Sequence, residues 1–222
     1  METIAHIRTG FSEKFGIPRQ SGLVPAAKGR IFFEKQYRNP DAIRGIEEFS
    51  HLWLIWGFSA NKEKKSSLLV NPPRLGGKEK RGVFATRSPF RPNGLGLSSV
   101  VIEKIEIDKK YGPVIWVSGV DMLDNTPIYD IKPYLAYVDS HPNAAGGFTD
   151  QIQDHKLKVE FPEELLKKIP VEKREALLAV LANDPRPGYQ KDPERKYGMS
   201  FGSWDIHFKV DGEQLQVLEV FN

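Results

Sequence analysis

The chain has 222 residues, enough for one large domain or for a main domain of about 150 residues with a smaller one attached. Hydrophobic residues make up 40% of it, and the net charge of +3 favours a polyanionic partner only weakly. The absence of cysteine excludes disulfides and thiolate catalysis, and the five histidines are scattered, so no metal site is expected. No membrane-length apolar stretch and no secretory signal are present, so we expect a cytoplasmic protein.

Short runs rich in β-branched and aromatic residues predict strands in the first part of the chain. The runs cover residues 30–33, 49–58, 82–86, 98–107 and 113–122. Long loops are expected over 15–29, 59–81 and 87–97, and only Pro40 to Glu48 has a helical pattern. Several short strands without helices between them favour an antiparallel sheet that closes as a barrel or packs as a sandwich.

The pattern changes near residue 143, where Asn143-Ala-Ala-Gly-Gly predicts a linker. After it, residues 156–161 alternate as a strand, and Pro162–Ile169 and Val171–Ala182 predict helices. Residues 203–210 and 215–220 predict a hairpin around the turn Asp211-Gly212. We therefore expect two domains, residues 1–143 and a small α+β domain over 144–222.

A basic segment rich in Pro, Gly and Asn lies between residues 62 and 81. Its cations are Lys62, Lys64, Lys65, Arg74, Lys78, Lys80 and Arg81. Such a segment is either a solvated connector or a surface that contacts phosphates, where each cation contributes through counterion release. The segment alone does not decide between these two interpretations.

The segment from Ala85 to Ser98 combines two prolines, two glycines and two arginines. Proline fixes φ and glycine frees it, which is typical of an ordered loop. Arg87 and Arg91 offer planar donor forks that pair with a phosphate or a carboxylate. The alternative is a connection that uses its prolines and glycines only to turn the chain. Two arginines in such a loop favour a ligand site.

Three carboxylates, Asp121, Asp124 and Asp130, crowd the segment that follows the strand Val114 to Val120, together with Lys132. A carboxylate at the end of a strand can hold a ribose hydroxyl or an α-amino group. The alternative is an Asx-turn cluster in which the side chains cap their own backbone. Both interpretations remain open at this point.

The turn-rich segment over residues 183–197 interleaves Arg and Lys with Tyr189 and Tyr197. Cations for phosphates and rings for base stacking are what an unpaired RNA loop requires. The alternative is a tyrosine that packs within an ordered loop.

Six blocks in register resemble the TrmO family, also called YaeB or TsaA-like, over nearly the whole chain. The blocks are Pro18–Leu23, Phe49–Trp53, Pro72–Gly77, Gly82–Ser88 with Phe90–Asn93, Asp121–Pro127 with Asp130–Tyr134, and Asp184–Tyr189. The resemblance implies a mainly β protein: an N-terminal antiparallel β-barrel that binds S-adenosylmethionine, followed by a small α+β domain that contacts tRNA. It also implies a homodimer with the cofactor near the subunit interface. The implied reaction is methylation of N6 of N6-threonylcarbamoyladenosine at position 37 in the tRNA anticodon loop.

The resemblance also implies site residues. The cofactor residues would be Gln20, Ser21, Gly22, Ser59, Ala60, Arg87, Leu97, Asp124, Asn125, Thr126 and Pro127. The Asp184–Tyr189 block would meet the anticodon loop. Together with the segments described above, this gives the RNA-binding candidates Arg74, Lys78, Lys80, Arg81, Arg91, Arg186, Lys191 and Tyr197. The family usually has Gly in place of Asn125, but Asn tolerates positive φ, so the turn should survive. The acceptor N6 is a weakly nucleophilic urea-type nitrogen that needs a base or hydrogen-bond acceptor, for which Asp184 and Tyr189 are the candidates.

Two other functions remain possible from the sequence. A non-catalytic RNA-binding barrel adaptor would bind RNA in a salt-dependent way without cofactor affinity. A small-molecule methyltransferase or hydrolase on the same barrel would turn over without tRNA, and would leave the segment over 183–197 unexplained.

Overall fold

The structure is a computed structural model that describes residues 1–59, 66–72, 75, 79–150, 156–186, 190 and 192–222. The strands are β1 (Ala5–Thr9), β2 (Lys28–Phe33), β3 (His51–Gly57), β4 (Leu69–Val70), β5 (Arg81–Gly82), β6 (Leu95–Asp108), β7 (Gly112–Ser118), β8 (Thr126–Pro133), β9 (Lys158–Glu160), β10 (Tyr197–Phe201), β11 (Trp204–Asp211) and β12 (Gln214–Phe221). The α-helices are α1 (Ala136–Asp139), α2 (Glu163–Leu166) and α3 (Val171–Ala182). Short 3-10 helices lie at Lys35–Tyr37, Pro40–Ile43, Ile46–Glu48, Val83–Ala85 and Gly147–Thr149.

Six strands close into an antiparallel barrel in the order β1-β2-β7-β6-β3-β8. β1 completes the ring by pairing with β8, with Ala5 opposite Ile128. Inward-facing apolar residues alternate along β3, where Leu52 and Leu54 are fully buried. The expected mainly β fold is confirmed, and the sheet closes as a barrel and not as a sandwich.

The barrel region differs from the sequence-based expectation in several elements. β1 and β8 were not predicted as strands, and both are needed to close the ring. The run over 82–86 contributes only Arg81–Gly82 to a short ribbon with β4 and then turns into a 3-10 helix. The helix expected over 40–48 is two 3-10 helices, because Gly45 between them has φ 86.

The C-terminal part forms a four-stranded sheet in the order β10-β11-β12-β9, in which β9 runs parallel to β12. The predicted hairpin is β11 and β12, and the predicted helix over 171–182 is α3. One side of α3 is buried through Ala176, Leu177, Val180 and Leu181, which recur at the spacing of a helical face. The helix α3 and the four-stranded sheet together make the C-terminal part an α+β structure.

The segment over residues 10–27 joins the barrel to the second sheet. Its backbone accepts a hydrogen bond at Gly10 O from Gly202 N at 2.8 Å. The ring of Phe15 stacks on Tyr197 and on Phe208, with centroids 6.4 and 6.3 Å apart. One hydrophobic core therefore runs from the barrel through this segment into the second sheet. We call residues 10–27 the connecting segment.

Candidate functional site

A cavity of about 860 Å³ lies where the connecting segment meets the loop over 84–93 and the adjoining ends of β3 and β6. Sites for small molecules usually have volumes of about 300–1,000 Å³. The loop over 84–93 is ordered by its own side chains, since Thr86 Oγ1 accepts from Ser88 N and Ser88 Oγ accepts from Phe90 N, each at 3.2 Å. We call this space the barrel cavity.

Aromatic rings form one wall of the barrel cavity. Trp56 and Phe58 meet edge to face with centroids 4.5 Å apart, and Phe84 lies at the rim with 74% of its surface exposed. The ring of Trp56 lies against Gly96 on the paired strand, where a Cβ would overlap the indole carbons Cε2 and Cζ2. Glycine at this position therefore allows the indole to lie flat against β6.

A chain of hydrogen bonds leads from this wall to a carboxylate. Trp56 Nε1 donates to Ser98 Oγ at 2.9 Å, and Ser98 Oγ donates to Asp121 Oδ1 at 2.6 Å. Burial raises the pKa of the Asp121 carboxyl to about 6, although hydrogen bonds from Ser98 and from the Ser21 backbone and the charge of Arg87 oppose the rise. We call Trp56, Ser98 and Asp121 the relay. The sequence had marked Asp121 only as one of three crowded carboxylates, and it gave no sign of Trp56 or Ser98.

The other charged residues of the barrel cavity are cations. Among the described lining residues these are Lys14, Arg19, Arg87 and Arg91, and Asp121 is the acidic one. Arg87 Nη1 donates to Gln20 Oε1, which ties the loop over 84–93 to the connecting segment. A group of His, Cys, Asp and Glu side chains able to hold a metal ion is absent from the described part of the chain. The site therefore suits an organic ligand with anionic and hydrophobic parts.

The barrel cavity brings together several of the predicted cofactor residues. Its wall includes Gln20, Ser59, Arg87, Leu97 and Thr126. Ser21 lies one step behind it, with its N–H bonded to Asp121. Gly22 packs against Gly119, where its N–H donates to the Gly119 carbonyl at 2.9 Å. Ala60 lies outside the described residues.

Three predicted cofactor residues are not among the residues that line the cavity: Asp124 and Asn125, which precede β8, and Pro127, which lies in it. Asp124 accepts from Thr9 N at 2.8 Å and pairs with Arg8 at 3.0 Å. Asn125 has φ 60, as its place in a turn requires, and Pro127 lies opposite His6 in β8. The positive φ expected at Asn125 is thus observed, while the cofactor roles of these residues stay predictions.

A second cavity of about 610 Å³ lies at the junction of the barrel and the second sheet, and we call it the junction cavity. It shares Lys14, Ile17, Pro18 and Arg19 with the barrel cavity. Its far wall is the turn over 183–186, and Arg19 Nη2 donates to the carbonyls of Asp184 and Arg186 at 2.9 and 2.8 Å. The two cavities are therefore neighbours that have one wall in common.

The predicted catalytic residue Asp184 lines the junction cavity, but its carboxylate is already engaged. Arg186 Nε donates to Oδ1 at 2.9 Å and Arg186 Nη2 donates to Oδ2 at 3.0 Å. This bidentate pair raises the pKa of the Arg186 guanidinium. Asp184 also has φ 49, an uncommon conformation for a residue with a Cβ. The second catalytic candidate, Tyr189, lies outside the described residues.

The predicted RNA-binding residues occupy different environments. Arg91 lines the barrel cavity, Arg81 pairs with Glu79 at 2.6 Å, and Lys80 is exposed. Tyr197 is buried, with its ring packed against Phe15 and Phe208, so its position gives it a packing role. Arg74, Lys78 and Lys191, with Lys62, Lys64 and Lys65 of the basic segment, lie outside the described residues.

The closed barrel, its ligand-sized cavity and the second, α+β sheet define a β-barrel protein with a small-molecule site near the junction with that sheet. Residues 6–140 match the family model of the tRNA-methyltransferase O N-terminal domain, and residues 154–222 match the TrmO C-terminal domain. The chain belongs to the TrmO family. In the described part of the chain, helices fall short of the length and apolar character needed to cross a membrane.

Named relatives match almost the whole chain. A putative S-adenosylmethionine-dependent methyltransferase of Pseudomonas aeruginosa is 40% identical, covering 98% of this chain and 95% of the relative. The tRNA (adenine(37)-N6)-methyltransferase of Escherichia coli is also 40% identical, covering 94% of this chain and 90% of the relative. A crystal structure of TrmO superposes with a TM-score of 0.80 at 33% identity, covering 99% of this chain and 97% of that one.

Proposed function

We propose that this protein is a tRNA (adenine(37)-N6)-methyltransferase that uses S-adenosylmethionine. The observation that carries the proposal is the barrel cavity, an aromatic and cationic site of ligand size in a chain that matches relatives of that name over nearly its whole length. Within this proposal, residues 1–143 form the cofactor-binding barrel domain, and residues 144–222 form the domain that contacts tRNA.

The residues of the barrel cavity fit the proposed cofactor. The aromatic wall formed by Trp56, Phe58 and Phe84 suits an adenine ring or a sulfonium cation, and the Arg87 guanidinium suits a carboxylate. When bound, this cofactor supplies an electrophilic methyl group. The task of the chain is then to hold the acceptor nitrogen within reach and in line, and positioning of this kind supplies most of the rate.

The junction cavity is the proposed place for the anticodon loop. Lys14, Arg19 and Arg186 line it, so phosphates or the carboxylate of a threonylcarbamoyl group would meet cations there. The junction cavity shares a wall with the barrel cavity, so an adenine base of the tRNA that enters the junction cavity would approach the cofactor. We propose N6-threonylcarbamoyladenosine as the substrate on this ground.

The role of Asp184 in catalysis stays a prediction, and the substitution Asp184→Ala tests it. Loss of methylation with unchanged cofactor affinity would support a direct part in the reaction, whereas full activity would remove Asp184 from it. Asp184 binds Arg186 through both oxygens, so it could also act only through this ion pair. Arg186→Ala distinguishes a direct part of Asp184 in the reaction from a part in the ion pair. Loss of activity in both variants would assign the effect to the ion pair.

The proposal includes a homodimer and a cytoplasmic location. Phe84 and Leu97 at the rim of the barrel cavity are 74% and 56% exposed, which supports an interface where a second copy covers them. Light scattering coupled to gel filtration tests the dimer, and Phe84→Asp should convert it to a monomer. A cytoplasmic location agrees with tRNA as the substrate.

Calorimetric titration with S-adenosylmethionine tests the proposed function, first without RNA. Binding in the micromolar range that is lost in Arg87→Ala is expected, because the guanidinium holds the ligand's carboxylate. Arg44→Ala is the matched control, since Arg44 is exposed and pairs with Asp41 away from the cavity. If cofactor binding is absent both without and with tRNA, the non-catalytic RNA-binding adaptor is the better explanation.

A further inference from the structure

We propose that Asp121 is a catalytic residue that accepts the proton of the target nitrogen as the methyl group is transferred. This inference rests on the proposed function and deepens it by assigning the proton acceptor. It stands on the position of Asp121 in the barrel cavity and on the relay that fixes its carboxylate.

The relay gives the carboxylate one orientation. The indole N–H of Trp56 is a donor only, so Ser98 Oγ accepts from it and must direct its own proton to Asp121. Ser98 is completely buried and Gly96 holds the indole in place, so neither partner is free to turn away. Ser98 and Trp56 are therefore positioning residues for Asp121.

The carboxylate keeps capacity for one more donor. An ionised carboxylate has about four acceptor positions. Ser98 Oγ occupies one position on Oδ1, the backbone N–H groups of Ser21 and Asp121 favour the charged form, and Asp121 lines the cavity, where a ligand N–H can reach it. The carboxylate of Asp184, by contrast, is bound by Arg186 at both oxygens.

The proton affinity of Asp121 suits the reaction. Burial raises the pKa of its carboxyl to about 6, so the group is ionised at neutral pH and still basic enough to accept a proton. The charged groups that share the cavity are Lys14, Arg19, Arg87 and Arg91, all cations, and Arg87 lowers the pKa of Asp121.

The step balances without a further reagent. The bond from N6 to the methyl carbon forms while the bond from sulfur to that carbon breaks, and the electron pair of the broken bond stays on sulfur. The proton of N6 passes to the Asp121 carboxylate, which releases it to solvent after the product leaves. Because N6 is a weakly nucleophilic urea-type nitrogen, a hydrogen bond to this carboxylate before transfer increases its reactivity.

The substitution Asp121→Asn keeps the shape of the side chain and an oxygen that can accept the hydrogen bond from Ser98. It removes the carboxylate that would take up the proton of N6. Asp130→Asn is the matched control, since Asp130 follows in β8 and pairs with Lys132 outside the cavity. Three quantities are measured: the rate at saturating cofactor and tRNA, the cofactor affinity by calorimetry, and the dependence of the rate on pH. We expect the rate of Asp121→Asn to fall by about 10²–10⁴-fold with unchanged cofactor affinity. The wild type should lose activity below about pH 6, and the variant should not show this fall.

Other outcomes overturn the inference in distinguishable ways. Lost cofactor affinity with a normal rate at saturation would make Asp121 a ligand of the cofactor's amino group. A wild-type protein that binds cofactor but does not methylate tRNA overturns the proposed function and this inference together, whereas equal activity of wild type and Asp121→Asn overturns this inference alone.

A measurement on the unmodified protein guards against a variant that fails to fold. The Trp56 indole N–H resonance, assigned through Trp56→Phe, should shift with a midpoint near pH 6 as Asp121 titrates through Ser98. A resonance that stays constant across this pH range would overturn the inference.

Discussion

Replacing Gly96 with alanine should disturb both the stability of the barrel and its cavity. A Cβ at this position would overlap Cε2 and Cζ2 of the Trp56 indole, so the ring must move away from β6. Overpacking of this kind costs about 1–3 kcal/mol. The displaced indole would also lose its 2.9 Å hydrogen bond to Ser98, and an unpaired buried donor costs about 1–3 kcal/mol.

These contributions add to about 2–6 kcal/mol. For a central value of about 4 kcal/mol, the Tm of a chain of this size should fall by roughly 8–16 °C. Thermal melting followed by circular dichroism measures the change, and calorimetric titration with S-adenosylmethionine shows whether the moved ring weakens cofactor binding. Gly82→Ala is the control, because Gly82 is exposed and nothing lies within 4 Å of a Cβ there. A Gly96→Ala protein with a Tm within about 2 °C of the wild type and normal cofactor affinity would refute the reasoning.

Three further predictions follow from the contacts described above. Ser98→Ala should raise the pKa of Asp121, because the hydrogen bond from the Ser98 hydroxyl lowers that pKa. The methylation rate should then begin to fall at a higher pH on acidification. A pH–rate profile measures this change. Arg19→Ala leaves two carbonyls of the turn over 184–186 without this donor, and should lower the free energy of unfolding by about 1–3 kcal/mol in urea denaturation and increase cleavage between the domains in limited proteolysis. Asn125→Gly should leave the Tm nearly unchanged whereas Asn125→Ala should cost about 1 kcal/mol, because alanine adopts the observed φ of 60 less readily than either residue.

Most of the fold could be predicted because runs of β-branched and aromatic residues indicate strands. The two barrel strands that were not predicted, β1 and β8, show where this pattern fails. β1 (Ala5–Thr9) is short and carries polar residues between its buried positions, and β8 contains Pro127 and Pro133, which suggest a loop. Gly45 likewise interrupts a stretch with an apparent helical pattern, and its positive φ is visible only in the structure.

The site was predictable in its loops but not in its relay. Prolines, glycines and arginines marked the segment from Ala85 to Ser98, and clustered carboxylates marked the segment of Asp121. The relay joins three distant segments, and its contacts depend on the register in which Trp56 lies opposite Gly96 and Leu54 lies opposite Ser98. A register of this kind is set by pairing across the whole sheet, so no local pattern reveals it.

The wall shared by the two cavities couples the occupancy of one to the occupancy of the other. Lys14, Ile17, Pro18 and Arg19 face both spaces, so a ligand that displaces this stretch from one side changes the surface presented on the other. Linkage then requires reciprocity: the factor by which tRNA changes the affinity for cofactor must equal the factor by which cofactor changes the affinity for tRNA. Substitutions at these four residues of the connecting segment should therefore change how strongly the two binding events are coupled.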